Sequence, residues 1–238
     1  MCGRFVQAAD PEVYAELFSV DRIIAPLLPA SYNVAPTDPV YAVVEHDGER
    51  LLTSFSWGLV PWWAEDRRIA ARNINARAET VAEKPAFRDS FTGRRCLIPA
   101  DGFYEWQARP KGKLPHYVHP SGGGAMAFAG LWASWRDPEA DERVRTCSII
   151  TGEPNAAVAA IHDRMPVMLP GSAWPAWLDP AVVDAEVLLP LLTTAPADSV
   201  AVHPVSTLVN KVANNLPELI RPLTTPAAEP LPLEIADR

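Results

Sequence analysis

Val40-Tyr41-Ala42-Val43-Val44-Glu45 and Leu51-Leu52-Thr53-Ser54-Phe55-Ser56-Trp57 are two apolar, β-branched runs that flank His46-Asp47-Gly48-Glu49. Strand-forming runs on either side of an Asp-Gly turn predict a β-hairpin. Upstream, Asp10-Pro11 supplies an N-cap followed by proline at the first helical position, which predicts a helix to about Phe18. Leu27 to Ala30 reads as a loop, and Tyr32 to Thr37 as a short extended segment that includes Pro36. Downstream, strands are expected at Arg95–Ile98, Gly102–Trp106, Pro115–His119, Ala125–Trp132, Thr146–Thr151 and His203–Ser206. Helical stretches fall near Pro85–Ser90, Asn155–Ile161 and Ala173–Leu178, and an arginine-rich loop near Arg67–Arg72. Strands and helices mix without a βαβ rhythm, so the class is α+β with a largely antiparallel sheet. The composition does not break before about Pro222, which predicts one domain over residues 2–222 and a proline-rich tail over 223–238.

The chain has 238 residues, 48% of them hydrophobic, with 8 Trp, enough for a real core. No apolar run of about 18 residues suggests a membrane span, and no signal-peptide layout opens the chain. Three cysteines without a Cys-x-x-Cys pair fit a reducing cytosol rather than a disulfide framework. His116 and His119 lack a nearby Cys or carboxylate, so no metal site is expected. The net charge of −8 disfavours tight non-specific nucleic-acid binding. It does not exclude a local basic groove, because Arg67, Arg68, Arg72 and Arg77 cluster.

Met1-Cys2-Gly3-Arg4-Phe5 is the stretch with chemistry. Cytosolic aminopeptidases trim an initiator Met that precedes a residue as small as cysteine. Cys2 would then carry an α-amine of pKa about 7.7 beside a thiol of pKa about 8.5. Such a 1,2-aminothiol closes a thiazolidine ring on an aldehyde, or attacks an amide with its own amine as base. Glu105 lies among Phe103, Tyr104 and Trp106, where desolvation would raise its pKa toward neutrality. The alternative is that it points outward from an alternating strand. His162, flanked by an acid and a base, suits proton transfer, or caps the preceding helix. Asn75 and Arg77 share a face if extended, and an amide beside a guanidinium suits a sugar oxygen and its phosphate. Trp62 and Trp63 could stack on bases of a single strand or belong to the core.

These stretches occur in a fixed order with Tyr32-Asn33-Val34-Ala35-Pro36, Trp57-Gly58-Leu59-Val60-Pro61, Ile74 to Thr80, Cys96 to Trp106 and His162-Asp163-Arg164-Met165-Pro166. Together they closely resemble the SOS response-associated peptidase (SRAP) family over about residues 2 to 222. The resemblance implies a single domain of mixed, largely antiparallel sheet or open barrel with peripheral helices. It implies capture of abasic sites in single-stranded DNA through the mature N-terminal cysteine. The product would be a thiazolidine DNA–protein crosslink that shields the lesion during replication and SOS repair. Lyase and autoproteolytic, peptidase-like side activities are also implied. Cys2 becomes the nucleophile, Asn75 orients the opened sugar, and Glu105 and His162 move protons. Arg4, Arg77 and Arg164 would contact phosphates, Asn33, Trp62 and Trp63 would line the DNA path, and Thr151 would border the pocket. One departure stands out: where the family carries a further phosphate-binding arginine, this chain reads Glu83-Lys84-Pro85. Lys84 or Arg88 then substitutes, or the Arg67–Arg72 insertion compensates.

This reading needs no cofactor. It places a monomer in the cytoplasm, bound to nucleoid DNA and in reach of replication-fork proteins. Two rivals come from other classes: an N-terminal-nucleophile cysteine amidase or protease, and a non-covalent single-strand reader to which Cys2 is incidental.

Overall fold

The computed structural model describes residues 2–223. Along them run β1 (Phe5–Gln7), α1 (Pro11–Leu17), β2 (Arg22–Ile23), β3 (Ser31–Val34), β4 (Pro39–His46) and β5 (Glu49–Trp57). After β6 (Asn75–Arg77) and α2 (Arg88–Gly93) come β7 (Arg95–Ala100), β8 (Gly102–Ala108), β9 (Lys113–Pro120), β10 (Met126–Arg136) and β11 (Arg143–Gly152). The chain ends through α3 (Ala156–Ala159), β12 (Met165–Pro166), α4 (Trp174–Leu178), α5 (Ala185–Leu188) and β13 (Val200–Pro204). The class is α+β, as the sequence predicts.

The hairpin forms as its residues dictate. Asp47 and Gly48 take φ of 52° and 78°, the two positive values that a two-residue type I′ turn requires. That turn sets the β4–β5 register, with His46 opposite Glu49 and Val40 opposite Phe55. The larger sheet then runs β12-β11-β10-β7-β4-β5-β2. A parallel contact between β5 and β11, Ser56 with Thr146 and Trp57 with Cys147, closes β11, β10, β7, β4 and β5 into a barrel. Gly58 makes this closure possible: at φ 126° it donates to Cys147 O at 2.8 Å, and a Cβ there would stand 2.9 Å from Ala70 O. A second sheet has the order β13-β9-β8-β1-β3.

Alternation along each barrel strand divides the core in two. Val40, Ala42, Phe55, Trp57, Ile98, Phe128 and Ile149 pack with Cys2, Phe5 and Phe103 of the second sheet. The opposite faces, Tyr41, Val43, Leu52, Leu97 and Ile150, pack with Tyr14 and Phe18 of the first helical segment and Trp177 of α4. A buried Arg95 on β7 ties the helical layer down. Its guanidinium donates to the carbonyls of Phe91, Thr92, Trp177, Asp179 and Val182 at 2.6–2.8 Å.

The N-terminal strand is anchored from two sides. Gln7 exchanges bonds with the main chain of Tyr41 and donates to Pro99 O at 2.8 Å. Asp101 accepts from the amides of Ala8 and Ala9 and from the Tyr14 hydroxyl. β1 is thereby fixed to the barrel and to the β7–β8 corner at once.

Several boundaries differ from the sequence reading. Arg67–Arg72 is a 3-10 helix rather than a loop, because Asp66 caps it by accepting from Arg68 N. α2 starts at Arg88, after a turn in which Lys84 O accepts from Phe87 and Arg88. The late strand is Val200–Pro204, since its register is set by β9, with Val200 opposite Pro120 and Pro204 opposite His116. Of the expected tail, residues 224–238 lie outside the described residues.

Candidate active site

β1 lies between β8 and β3, which brings Cys2 to the junction of the two sheets. The Cys2 side chain is 0% exposed, and its thiol donates to Arg4 O at 3.8 Å. Burial and the Glu105 carboxylate both push this thiol's pKa up. Asn75 opens β6, a short strand pinned parallel to β11 with Asn75 opposite Ile149. Trp57 Nε1 donates to Ile74 O at 2.9 Å and fixes the approach to it. From there Asn75 Nδ2 donates to the main-chain oxygen of Cys2 at 2.7 Å, while its Oδ1 is buried with no protein partner. Arg77, two residues on, is exposed as expected for an extended segment.

Glu105, on β8 opposite His116, is 2% exposed, so the outward-pointing alternative does not hold. Desolvation pushes its carboxyl up to about 7. His162 follows α3, whose last turn is tied to β8 by Gln107 Nε2 donating to Ala160 O at 2.8 Å. The main-chain amide of His162 bonds Val158 O, while its ring reaches back to the site: Nε2 stands 3.9 Å from Glu105 Oε2. Burial lowers the pKa of the imidazole. One fold thus assembles Cys2, Asn75, Glu105 and His162 from four separate segments.

The expected DNA-contacting residues divide. Arg4 Nη1 donates to Asn33 Oδ1 at 3.0 Å and Val209 O at 3.2 Å, beside Cys2. Asn33 is buried, and its Nδ2 donates to the carbonyls of Val209, Lys211 and Asn214, so it holds a loop. Trp62 and Trp63 are exposed, and Trp62 Nε1 donates to Asp89 Oδ2 at 3.0 Å. Thr151 is buried with its hydroxyl toward Ala76 O at 3.4 Å. Arg164 makes a two-pronged pair with Glu79, and Nη2 also donates to Thr151 O at 2.6 Å. Lys84 and Arg88 are both exposed, Arg88 near Asp89 at 3.5 Å.

The sequence reading missed the loop of residues 207–216. Besides Arg4 and Asn33, Trp106 grips it through Nε1 donating to Asn210 Oδ1 at 2.7 Å. Asn215 exchanges bonds with Tyr32 N and Ala30 O. The cluster of Asn210, Asn214 and Asn215 was the available signal, since asparagines concentrate where a loop must satisfy its own backbone. No set of three His, Cys, Asp or Glu suited to a metal occurs among the described residues, and no helix among them is long and apolar enough to cross a membrane.

The fold and site define a class: a closed barrel backed by a second sheet, with a cysteine at the chain's second position near a buried carboxylate that in turn has an imidazole 3.9 Å away. Residues 1–212 match the family described as SOS response associated peptidase (SRAP), and the chain belongs to that family. It is 41% identical over 222 residues to the abasic site processing protein YoqW of Bacillus subtilis (strain 168), covering 92% of this chain and 99% of that one. It is 35% identical over 224 residues to the abasic site processing protein HMCES of Gallus gallus, covering 81% and 66%. Among solved structures, a Bacteroides thetaiotaomicron protein superposes with a TM-score of 0.85 at 24% identity, covering 94% of this chain and all of that one, which shows the fold. A phage-related protein of Bordetella bronchiseptica gives 0.67 at 29% identity, covering 86% and 94%.

Proposed function

We propose that the protein processes abasic sites in single-stranded DNA, capturing them covalently through Cys2 once Met1 is removed. Relatives named abasic site processing proteins support the substrate. The observation that carries the chemistry is the Asn75–Cys2 bond of 2.7 Å beside the Glu105–His162 pair, which fixes the nucleophile's main chain next to two proton carriers.

Removal of Met1 turns the Cys2 nitrogen from an amide into an amine. An abasic sugar is mostly a closed hemiacetal; as its C1′–O4′ bond breaks, His162 Nε2–H gives its proton to O4′, and the C1′ hydroxyl proton returns to Nε2 by way of the Glu105 carboxylate 3.9 Å away, so both groups end as they began. Glu105, with its carboxyl at about 7, takes a proton from the Cys2 ammonium. The amine adds to C1′ of the aldehyde, and water leaves to give an imine. The thiol then adds its sulfur to the imine carbon and its proton passes to the nitrogen, closing the thiazolidine. A raised thiol pKa is compatible with this order, because the amine attacks first. The buried Oδ1 of Asn75, which has no protein partner, is an acceptor for a sugar hydroxyl. Holding amine, thiol and aldehyde together contributes roughly 7 kcal/mol or more to lowering the barrier. The imine also allows slow β-elimination, the lyase side reaction. Arg4 and Arg77 serve the flanking phosphates, and Trp62 and Trp63 the bases. A monomer acting in the cytoplasm on single strands at replication forks belongs to the same reading.

The test is intact mass after mixing with abasic single-stranded DNA, followed by boiling in detergent. The expected product is a heat-stable 1:1 adduct lost in Cys2→Ala, with DNA binding retained. A retained Met1, an adduct that dissociates on boiling, or peptide hydrolysis without an adduct would overturn it.

A further inference from the structure

The hairpin of β8 and β9 turns through Arg109, Lys111 and Lys113, and no Asp or Glu occurs between Glu105 and Asp137. In a chain of net charge −8, this turn is a local positive field. All three residues are exposed. Elsewhere arginines are held by carboxylates, Arg68 by Asp66 and Arg136 by Asp141. Among the described residues, no carboxylate stands within ion-pair distance of Arg109, Lys111 or Lys113.

The turn has a defined shape and lies close to the site. Arg109 N donates to Gly112 O at 3.0 Å, and Gly112 takes φ of 81°, which a side chain would strain. Lys113 then pairs with Ala108, in the same register that sets Glu105 opposite His116. Three strand residues of about 3.4 Å put that pair about 10 Å along the hairpin from Glu105. Gln107 Nε2 donates to Ala160 O at 2.8 Å, tying the hairpin to the segment that delivers His162. Burial is the main cause that lowers the His162 pKa, and the Lys113 ammonium is near enough to lower it further. Asp163, the exposed acid beside His162, has its carboxylate 3.0 Å from Nδ1 of that ring.

Arg77 is carried by the other sheet. It ends β6, which pairs with β11 of the larger sheet, whereas β8 and β9 belong to the second. Cys2 sits where the two sheets meet. We propose that Arg109, Lys111 and Lys113 form a phosphate-binding turn, which holds single-stranded DNA on one side of the abasic residue while Arg77 serves the other. The proposal rests on the abasic-site reading above and extends the strand's path beyond the pocket. Flexible cations on a turn contact the backbone and carry no base readout, so the contact is independent of sequence.

The test is the triple variant Arg109→Gln, Lys111→Gln, Lys113→Gln in the full chain, titrated with undamaged single-stranded DNA over a range of salt. The slope of log affinity against log salt should fall by about 2, three contacts of about 0.7 each. Arg109→Lys keeps the charge and should keep the wild-type slope. Two abasic oligonucleotides, one with the lesion at its 5′ end and one at its 3′ end, locate the contact. On one of them, at limiting protein and about 0.1 M salt, the variant should crosslink about 10-fold more slowly than wild type. On the other, whose strand never reaches the turn, the two should match. Crosslinking to a simple open-chain aldehyde should be unchanged. An unchanged salt slope overturns the proposal. So do equal losses on both oligonucleotides, which would make the turn a general positive field without a track. Where the triple variant lowers the thermal midpoint, Lys111→Gln alone decides, through a slope change of about 0.7 or none. If wild type forms no adduct with abasic DNA, the functional reading fails, while the titration on undamaged strand still decides the role of the turn.

Discussion

The side-chain amide of Asn75 donates to the main-chain oxygen of Cys2 at 2.7 Å, across 73 residues of sequence. The sequence assigns Asn75 to the sugar. The fold gives its two amide atoms separate tasks, with Nδ2 on the nucleophile's backbone and Oδ1 buried without a protein partner. Asn75→Ala should therefore slow adduct formation by up to about 100-fold, because the amine loses its fixed approach, while DNA affinity stays within a factor of about two. A time course on denaturing gels beside an equilibrium titration checks this. Equal losses in rate and affinity would mean that Asn75 is mainly a DNA ligand.

Glu105 should show a trade between stability and activity. Its carboxyl is held near 7 in the fold against 4.5 in its ordinary state, with burial the main cause. The folded chain thus binds this proton more tightly than the unfolded one. The contribution of this carboxyl to stability is fully present below about pH 4.5 and is lost as pH rises to about 7. Glu105→Gln removes that penalty, so at pH 8 the variant should be more stable than wild type by up to about 3 kcal/mol, and the gap should close below about pH 4. Urea denaturation at both pH values measures it. A variant less stable at pH 8 would contradict the desolvation argument.

The same variant should crosslink slowly, most of all at low pH where the Cys2 amine is protonated. Raising the pH through the amine's pKa of about 7.7 should partly restore it. His162→Ala should behave differently, slow on a closed abasic sugar yet nearly normal on a simple open-chain aldehyde. Losses of about 100-fold or more are expected from removing such groups. Identical defects of both variants on both substrates would sink this division of labour.

Arg77 is exposed at the end of β6, where its guanidinium is accessible to a phosphate. Arg77→Ala should weaken strand binding and reduce the salt slope by about 0.7, one single-strand phosphate contact. An unchanged slope would remove Arg77 from the phosphate track.

Arg95 should be among the most sensitive positions for folding. Arg95→Met strips the donor from the carbonyls of Phe91 and Thr92 in α2, of Trp177 and Asp179 at the end of α4 and of Val182 in the turn beyond, and a loss of more than about 3 kcal/mol is expected. Arg95→Lys keeps the charge but not the planar fork, and should fall between. A thermal shift of less than a few degrees in Arg95→Met would show that water replaces the guanidinium there.

Local chemistry was legible because it depends on neighbours in sequence. Asp47-Gly48 between alternating runs dictated the hairpin, and Asp10-Pro11 set the start of α1. The extended Asn75-Ala76-Arg77 placed two polar side chains on one face. Cys2 owes its special status to its position beside Met1, and Glu105 owes its raised pKa to burial on a strand rich in aromatic side chains. Each of these follows from turn preferences, periodicity or the chemistry of one residue.

Other features depend on which strands meet, and no local period encodes that. The parallel β5–β11 contact that closes the barrel rests on Gly58 and on a partner about ninety residues on, Cys147. The 3-10 turn at Arg67–Arg72 depends on one side-chain cap. The loop of residues 207–216 is tethered by Asn33, a partnership no local pattern announces. A phosphate role for Arg164 is what the family resemblance implies. Only the packing of β6 against β11 brings Glu79 to it and satisfies its charge. The sequence by itself thus determined the reactive groups and their local geometry. The tertiary structure decided which of those groups face one another, because a buried charge takes its role from the partner that long-range pairing delivers.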